Sequence, residues 1–244
     1  MSKIYVTGLG PGAADQMTIR ARNVLEHCPV IIGYTVYIDL IRDEFPDKTY
    51  LSTPMRKEAD RCRMAFAEAE KGQDVAMVCS GDAGIYGMAG LICEIGRDYP
   101  EIGIEIVPGI TAASGGAAVL GAPLMHDFAV ISLSALMTPL DLIMKRVDCA
   151  GQSDLIVCLY NPKSKKRTGY VEQAADILMK YRDPKTPVGI VRHAGRKGES
   201  SQITTLGELK NAEIDMFSVV LIGNSQTYVS GGRMITPRGY VLEK

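Results

Sequence analysis

Ile4-Tyr5-Val6-Thr7-Gly8-Leu9-Gly10-Pro11-Gly12 passes from a short apolar stretch into a glycine-rich turn, and Met17 to His27 follows with helical periodicity. Strand, tight turn and helix in that order open an α/β unit. The same grammar recurs downstream. Val30 to Ile32, Val75 to Cys79, Ile104 to Val107, Phe128 to Ser132, Leu155 to Tyr160, Val188 to Arg192 and Phe217 to Ile222 read as strands. Pro54 to Lys71, Ile85 to Asp98, Pro139 to Cys149 and Tyr170 to Tyr181 read as helices. Thr138-Pro139 is expected to start one helix, and Thr205 with Glu208 fits a capping box. The predicted class is α/β. Gly and Pro interrupt the rhythm over Gly121 to Asp127, so two α/β domains are expected, 1–122 and 123–244.

The first turn superficially satisfies a dinucleotide fingerprint, with Ala13 in the last position. Two features count against that reading. Pro11 removes a backbone donor, and the second strand ends in Gly33-Tyr34 instead of an acid that would hold a ribose. No Lys-Ser or Lys-Thr follows the glycines, which excludes a P-loop. Ser80-Gly81-Asp82-Ala83-Gly84-Ile85-Tyr86-Gly87 is a second turn after a buried strand, and Val107-Pro108-Gly109-Ile110-Thr111-Ala112 is a third. Taken alone, Asp82 and Thr111 each read either as a helix cap or as a ligand contact. Three such turns after three strands point to a ligand beyond the strands' carboxyl ends.

Composition narrows the classes. With 244 residues, 46% hydrophobic and 23% charged, the chain can build one large core or two modest ones, which excludes disordered and fibrous classes. The 27 basic and 28 acidic residues leave a net charge of -1, so no nucleic-acid partner is expected. Cys28, Cys62, Cys79, Cys93, Cys149 and Cys158 have no close pairs and read as small buried hydrophobes of a reducing compartment. The chain enters an apolar run at Ile4 without a signal-peptide layout, and no apolar stretch approaches ~18 residues. A cytoplasmic protein without a membrane span is expected. His27, His126 and His193 are too scattered to propose a metal site, and no H-E-x-x-H, C-x-x-C or G-x-S-x-G motif occurs.

In order along the chain, the three glycine turns resemble those of the tetrapyrrole methylase family, and the resemblance runs over essentially all of it. Gly33-Tyr34-Thr35-Val36-Tyr37-Ile38, Gly121 to Phe128, Ser132-Leu133-Ser134 and Leu159-Tyr160-Asn161-Pro162-Lys163-Ser164 are similar to the precorrin-3B C17-methyltransferase group and its anaerobic counterpart acting on cobalt-factor III. The resemblance implies two α/β domains with the ligand cleft between them. It also implies an S-adenosyl-L-methionine donor, released as S-adenosyl-L-homocysteine, a tetrapyrrole acceptor in cobalamin biosynthesis, ring contraction and a homodimer. Carried over by position, the donor contacts are Pro11, Gly81, Asp82, Ile85, Thr111 and Ala112, with Tyr160 and Ala194 in the second half.

Members of the family that methylate uroporphyrinogen III have an aspartate just after the second strand, where this chain has Tyr34; a carboxylate base is not transferred. Tyr34, His126 and Ser132 are the candidate catalytic residues, with Asp127, Ser134 and His193 as further candidates for proton handling. Gly10, Arg56, Lys163, Lys165 and Lys166 are candidates for the acceptor, the cations because a precorrin carries many carboxylates; Arg167 and Arg192 join them. Each also reads as ordinary packing or a solvated basic turn. The competing functions are methylation of another precorrin position, of RNA or of protein, and non-catalytic metabolite binding.

Overall fold

The computed structural model describes residues 1–12, 14–164 and 168–241. The chain forms two compact units, Met1–Ala112 and Ala113–Lys244. The division falls ahead of the interruption at Gly121, because Gly121–Ala122 is taken up as a short paired strand of the second unit instead of serving as a linker.

The first unit contains β1 (Lys3–Gly8), α1 (Ile19–His27), β2 (Val30–Tyr34), α2 (Thr35–Asp39), β3 (Thr49–Thr53), α3 (Glu58–Ala69), β4 (Val75–Cys79), α4 (Ala89–Ile95) and β5 (Gly103–Val107). Its sheet has the order β3-β2-β4-β1-β5 and is parallel throughout. The central strand β4 is buried from end to end, and its pleat serves two cores. Val75, Met77 and Cys79 pack with Cys62, Ala65 and Phe66 of α3, while Ala76 and Val78 pack with Ala21, Val24 and Leu25 of α1. A continuous apolar run is what a parallel strand covered on both faces requires. Thr18 caps α1, its Oγ1 accepting from the Ala21 N–H at 3.1 Å.

In the second unit, α5 (Ala112–Leu120), whose first residue is the last of the first unit, and β6 (Gly121–Ala122) lead to β7 (Phe128–Ser132), α6 (Leu140–Gln152), β8 (Ile156–Tyr160), α7 (Tyr170–Leu178), β9 (Pro187–Arg192), β10 (Ser200–Thr205), β11 (Ser218–Ile222), β12 (Tyr228–Ser230) and β13 (Arg233–Ile235). The main sheet, β10-β9-β11-β8-β7, is antiparallel except for the β7–β8 pair. A small sheet, β12-β13-β6, completes the unit's described strands. Val157, Leu159, Ile190, Val220 and Ile222 pack against Ile143 and Val147 of α6 and Ala174 and Leu178 of α7. On the opposite face Gly116 lets α5 approach the sheet, since a Cβ there would lie 2.6 Å from Val219 Cγ1.

The eight expected strands and five expected helices are present, and three local expectations change. Pro139 is itself the residue before α6, and no side chain caps that helix. Thr138 stays in the loop, at a position where the proline after it disfavours helical backbone. Thr205 is committed to the β10 ladder, so the box with Glu208 does not form; a 3₁₀ turn at Leu209–Asn211 follows without a side-chain cap. Cys93 and Cys149 are exposed, whereas Cys28, Cys62, Cys79 and Cys158 are buried as expected.

Candidate active site

The three glycine turns leave strands that lie side by side, in the order β4-β1-β5. From β1 the chain crosses over β4 to reach β2, and from β4 it crosses over β1 to reach β5. The carboxyl ends of β1 and β4 therefore form a topological switch point, where open α/β sheets place their ligands. Backbone zips this point together. Leu9 N–H donates to the Cys79 carbonyl at 2.8 Å, and Gly10 and Gly81 exchange N–H···O bonds of 3.0 and 2.8 Å. Both glycines are left-handed, with φ +75° and +70°. A Cβ at Gly109 would lie 2.2 Å from the Gly81 carbonyl oxygen, and one at Gly8 would lie 2.6 Å from the same atom. These glycines first serve the mutual close approach of the three turns.

Asp82 closes the assembly. Its Oδ1 accepts from the N–H groups of Gly84 (2.8 Å) and Ile85 (3.0 Å), and its Oδ2 accepts from Gly109 N–H in the third turn (3.0 Å). It does not cap α4, which starts only at Ala89 with Met88 before it. Upon this backbone platform sit apolar side chains open to solvent: Ile85 is 40% exposed, Tyr86 57% and Ile110 37%. Tyr86 holds φ +55°, a strained value for a residue with a side chain. Gly10 and Pro11 are buried, while Thr111 and Ala112 are half-buried at the start of α5. Exposed apolar groups beside polar turn backbone suit a ligand that joins a flat ring to a zwitterion.

Tyr34 ends β2 and precedes α2. The edge of one ring meets the face of the other in the Tyr34–Tyr37 pair, with centroids 5.2 Å apart, and the Arg61 guanidinium lies 5.9 Å from the Tyr34 ring centre. Arg56 is exposed, with φ +68°, and its N–H donates to Glu58 Oε1.

In the second unit, Ser132 and Tyr160 are register partners at the carboxyl ends of the parallel β7 and β8. The Tyr160 hydroxyl accepts from the Ala113 N–H in the first turn of α5 at 2.5 Å. Ser132 Oγ accepts from Asn161 Nδ2 at 3.0 Å and from Ser134 N–H at 3.2 Å. Asn161 is left-handed, with φ +50°, and so is His193, with φ +52°, just after β9. The His193 ring lies tilted by 31° against Phe217, with centroids 5.1 Å apart and Nε2 3.8 Å from Asp215 Oδ2; Ala194 beside it is half-buried. Arg192 is paired with Glu213 at 3.0 Å.

His126 stands at the other end of β7, a strand's length from Ser132, and its Nδ1 accepts from its neighbour Asp127. Strand geometry thus separates two residues that the sequence lists as catalytic candidates. Lys163 is half-buried; Lys165, Lys166 and Arg167 lie outside the described residues. Among the described residues, no group of three or more His, Cys, Asp or Glu is gathered to hold a metal, and no helix is long and apolar enough to cross a membrane.

The sequence reading missed Tyr86, Asn161 and Arg61. Left-handed backbone at Tyr86 and Asn161 has no sequence signature beyond a strand-end turn. Arg61 did carry a signal, a charge on the apolar α3 face that includes Cys62, Ala65, Phe66 and Ala69.

A sequence profile of the Tetrapyrrole (Corrin/Porphyrin) Methylases matches residues 3–210. The chain is 45% identical over 240 residues to the "Probable cobalt-factor III C(17)-methyltransferase" of Salmonella typhimurium, covering 98% of this chain and 100% of that protein. The crystal structure of the methyltransferase CobJ superposes with a TM-score of 0.88 at 33% identity, over 97% of this chain and 100% of the other. A uroporphyrin-III C-methyl transferase from Thermus thermophilus, complexed with S-adenyl homocysteine, shares the fold with a TM-score of 0.71 at 21% identity, over 91% of this chain and 97% of that one.

Proposed function

The chain belongs to the tetrapyrrole methylase family, and from that membership we propose that it transfers a methyl group from S-adenosylmethionine to C17 of a cobalt-factor III or precorrin-3B ring, with ring contraction, in cobalamin biosynthesis. The observation that carries this reading is the 45% identity over the full length of a protein named for that reaction.

The chemistry asks mainly for placement. Methyl transfer needs sulfur, methyl carbon and attacking carbon nearly in line, and the sulfonium is already an activated leaving group. Fixed near-attack geometry then supplies most of the rate. The platform at β4-β1-β5 supports a donor site of this kind: its backbone is held rigid by the Gly10–Gly81 exchange and by Asp82. In this reading Ile85, Thr111, Ala112, Pro11 and Gly81 shape the donor site, and Asp82 acts chiefly through the turns it ties. Tyr160 and Ala194 remain donor contacts by resemblance. Tyr34 faces the acceptor and carries no carboxylate base. A homodimer and a cytoplasmic location belong to the same reading.

Incubation with methyl-labelled S-adenosylmethionine and each pigment in turn tests it. Label is expected in the cobalt-loaded or metal-free corrinoid precursor. Donor binding with label only in RNA or protein would overturn the acceptor assignment, and no donor binding by calorimetry would overturn the methyltransferase reading.

A further inference from the structure

Arg61 is 4% exposed and lies on the inward face of α3. A guanidinium brings five N–H donors and a charge that is not shed. Here Nε donates to Thr53 Oγ1 at 3.0 Å, Nη2 to the Pro54 carbonyl at 3.3 Å and Nη1 to the Met88 sulfur at 3.8 Å. The partners of three of its five N–H groups are therefore neutral acceptors, one of them a thioether. Among the described residues it forms no ion pair with a carboxylate. The guanidinium also lies over the Tyr34 ring, 5.9 Å from its centre. A buried charge without an opposite charge is an expensive way to fill a core site, and an apolar side chain would pack there without that cost.

The position of these partners gives the charge a use. Tyr34 ends β2, Thr53 ends β3, and Met88 stands in the connection that follows β4; these three strands are neighbours in the sheet. Arg61 thus ties the carboxyl edge over β3-β2-β4, as Asp82 ties it over β4-β1-β5. It also anchors the 54–57 turn, where Arg56 adopts its left-handed backbone and Thr53 Oγ1 donates to the Lys57 carbonyl at 3.4 Å.

We propose that Arg61 is a positioning residue for the acceptor: from beneath, it sets the Tyr34 ring and the Thr53-Pro54 turn in the arrangement the macrocycle meets. This rests on the reading that Tyr34 faces the tetrapyrrole. Guanidinium geometry matters in two ways. The planar group spans Thr53, Pro54 and Tyr34 at once, and it stacks on an aromatic face as an ammonium does less well.

A double-mutant cycle tests the coupling. Arg61→Met, Arg61→Lys, Tyr34→Ala and the combination of Arg61→Met with Tyr34→Ala are compared with the wild type. The measurements are label transfer to cobalt-factor III, donor affinity by calorimetry and Tm. Arg61→Met is expected to lower kcat/KM for the pigment about tenfold while donor Kd stays within about twofold, and in the Tyr34→Ala background the same change should have less than about threefold effect. Arg61→Lys keeps the charge and the stem; it should retain the fold and recover part of the activity, and it carries the test if Arg61→Met does not fold. Equal losses in both backgrounds, a change confined to Tm, or a loss of donor affinity would each overturn the proposal. Failure of the wild type to label any pigment would overturn the parent reading and this inference with it, and is recognised before any variant is compared.

Discussion

At Asp82 one carboxylate holds three backbone N–H groups, two in its own turn and one in the next. Sequence left two roles open, helix cap or ligand contact, and both treated the residue as local. The bond to Gly109 is long-range and has no sequence signature. Asp82→Asn presents an amide N–H₂ where the carboxylate met the Gly109 N–H or the Gly84 and Ile85 N–H groups. It is expected to cost about 1–3 kcal/mol of stability and to weaken donor binding in the same variant. Calorimetry with thermal unfolding separates the outcomes: reduced donor affinity at unchanged Tm would mark a direct contact and remove the staple role. The thiols are also argued residue by residue. Cys93 and Cys149 are exposed and should react with a thiol reagent in the native protein, whereas Cys28, Cys62, Cys79 and Cys158 should react only on unfolding. A third thiol reacting natively would contradict the burial pattern.

Among the elements, the strands that were legible are the apolar ones. Val75–Cys79 and Ser218–Ile222 are buried throughout, and Val75–Cys79 and Val219–Ile222 read as unbroken hydrophobic runs. Strand β10, Ser-Ser-Gln-Ile-Thr-Thr, lies at a sheet edge and carries little apolar signal, while β6, β12 and β13 are too short for a periodicity to show. Helix α5 was hidden for a different reason. Its Ser114-Gly115-Gly116 centre is poor helix sequence, kept because only a glycine at 116 allows contact with Val219. Two glycine substitutions of opposite sign follow from the same geometry. Gly90→Ala, in α4 with open space around its Cβ, should stabilise by about 0.5–1 kcal/mol. Gly109→Ala, with its Cβ 2.2 Å from Gly81 O, should cost about 3 kcal/mol. Chemical denaturation reads both; a neutral Gly109→Ala would mean that the turns are not held at this spacing.

Over the whole molecule, stability should carry the signature of the buried thiols. Burial pushes Cys28, Cys62 and Cys158 up to about 12 and Cys79 to about 11, from 9.0 when unfolded. The folded chain keeps these protons where the unfolded chain releases them. Their contribution is complete below pH 9 and falls as pH rises towards 12, by up to about 1.4 kcal/mol per pH unit for each thiol. Urea unfolding above pH 9 should show a shallower decline in Cys158→Ala than in the wild type; an unchanged slope would contradict it.

At this scale the α/β class, the strand order along the chain and the glycine turns were legible. Sheet topology was not, because the period-two pattern says nothing of strand direction, and β8 is parallel to β7 yet antiparallel to β11. The candidate site was half legible. Its turns were visible because glycine marks unusual backbone, while Arg61 was overlooked although it stood out on an apolar helix face. His126 and Ser132 looked comparable in sequence and lie at opposite ends of one strand.

The most direct test of the central claim is the position of the transferred carbon. With S-adenosylmethionine labelled in the methyl group and cobalt-factor III as acceptor, nuclear magnetic resonance of the isolated pigment should show the label on C17 alone. Label on another ring carbon, or pigment recovered without label while the donor is consumed, would contradict it.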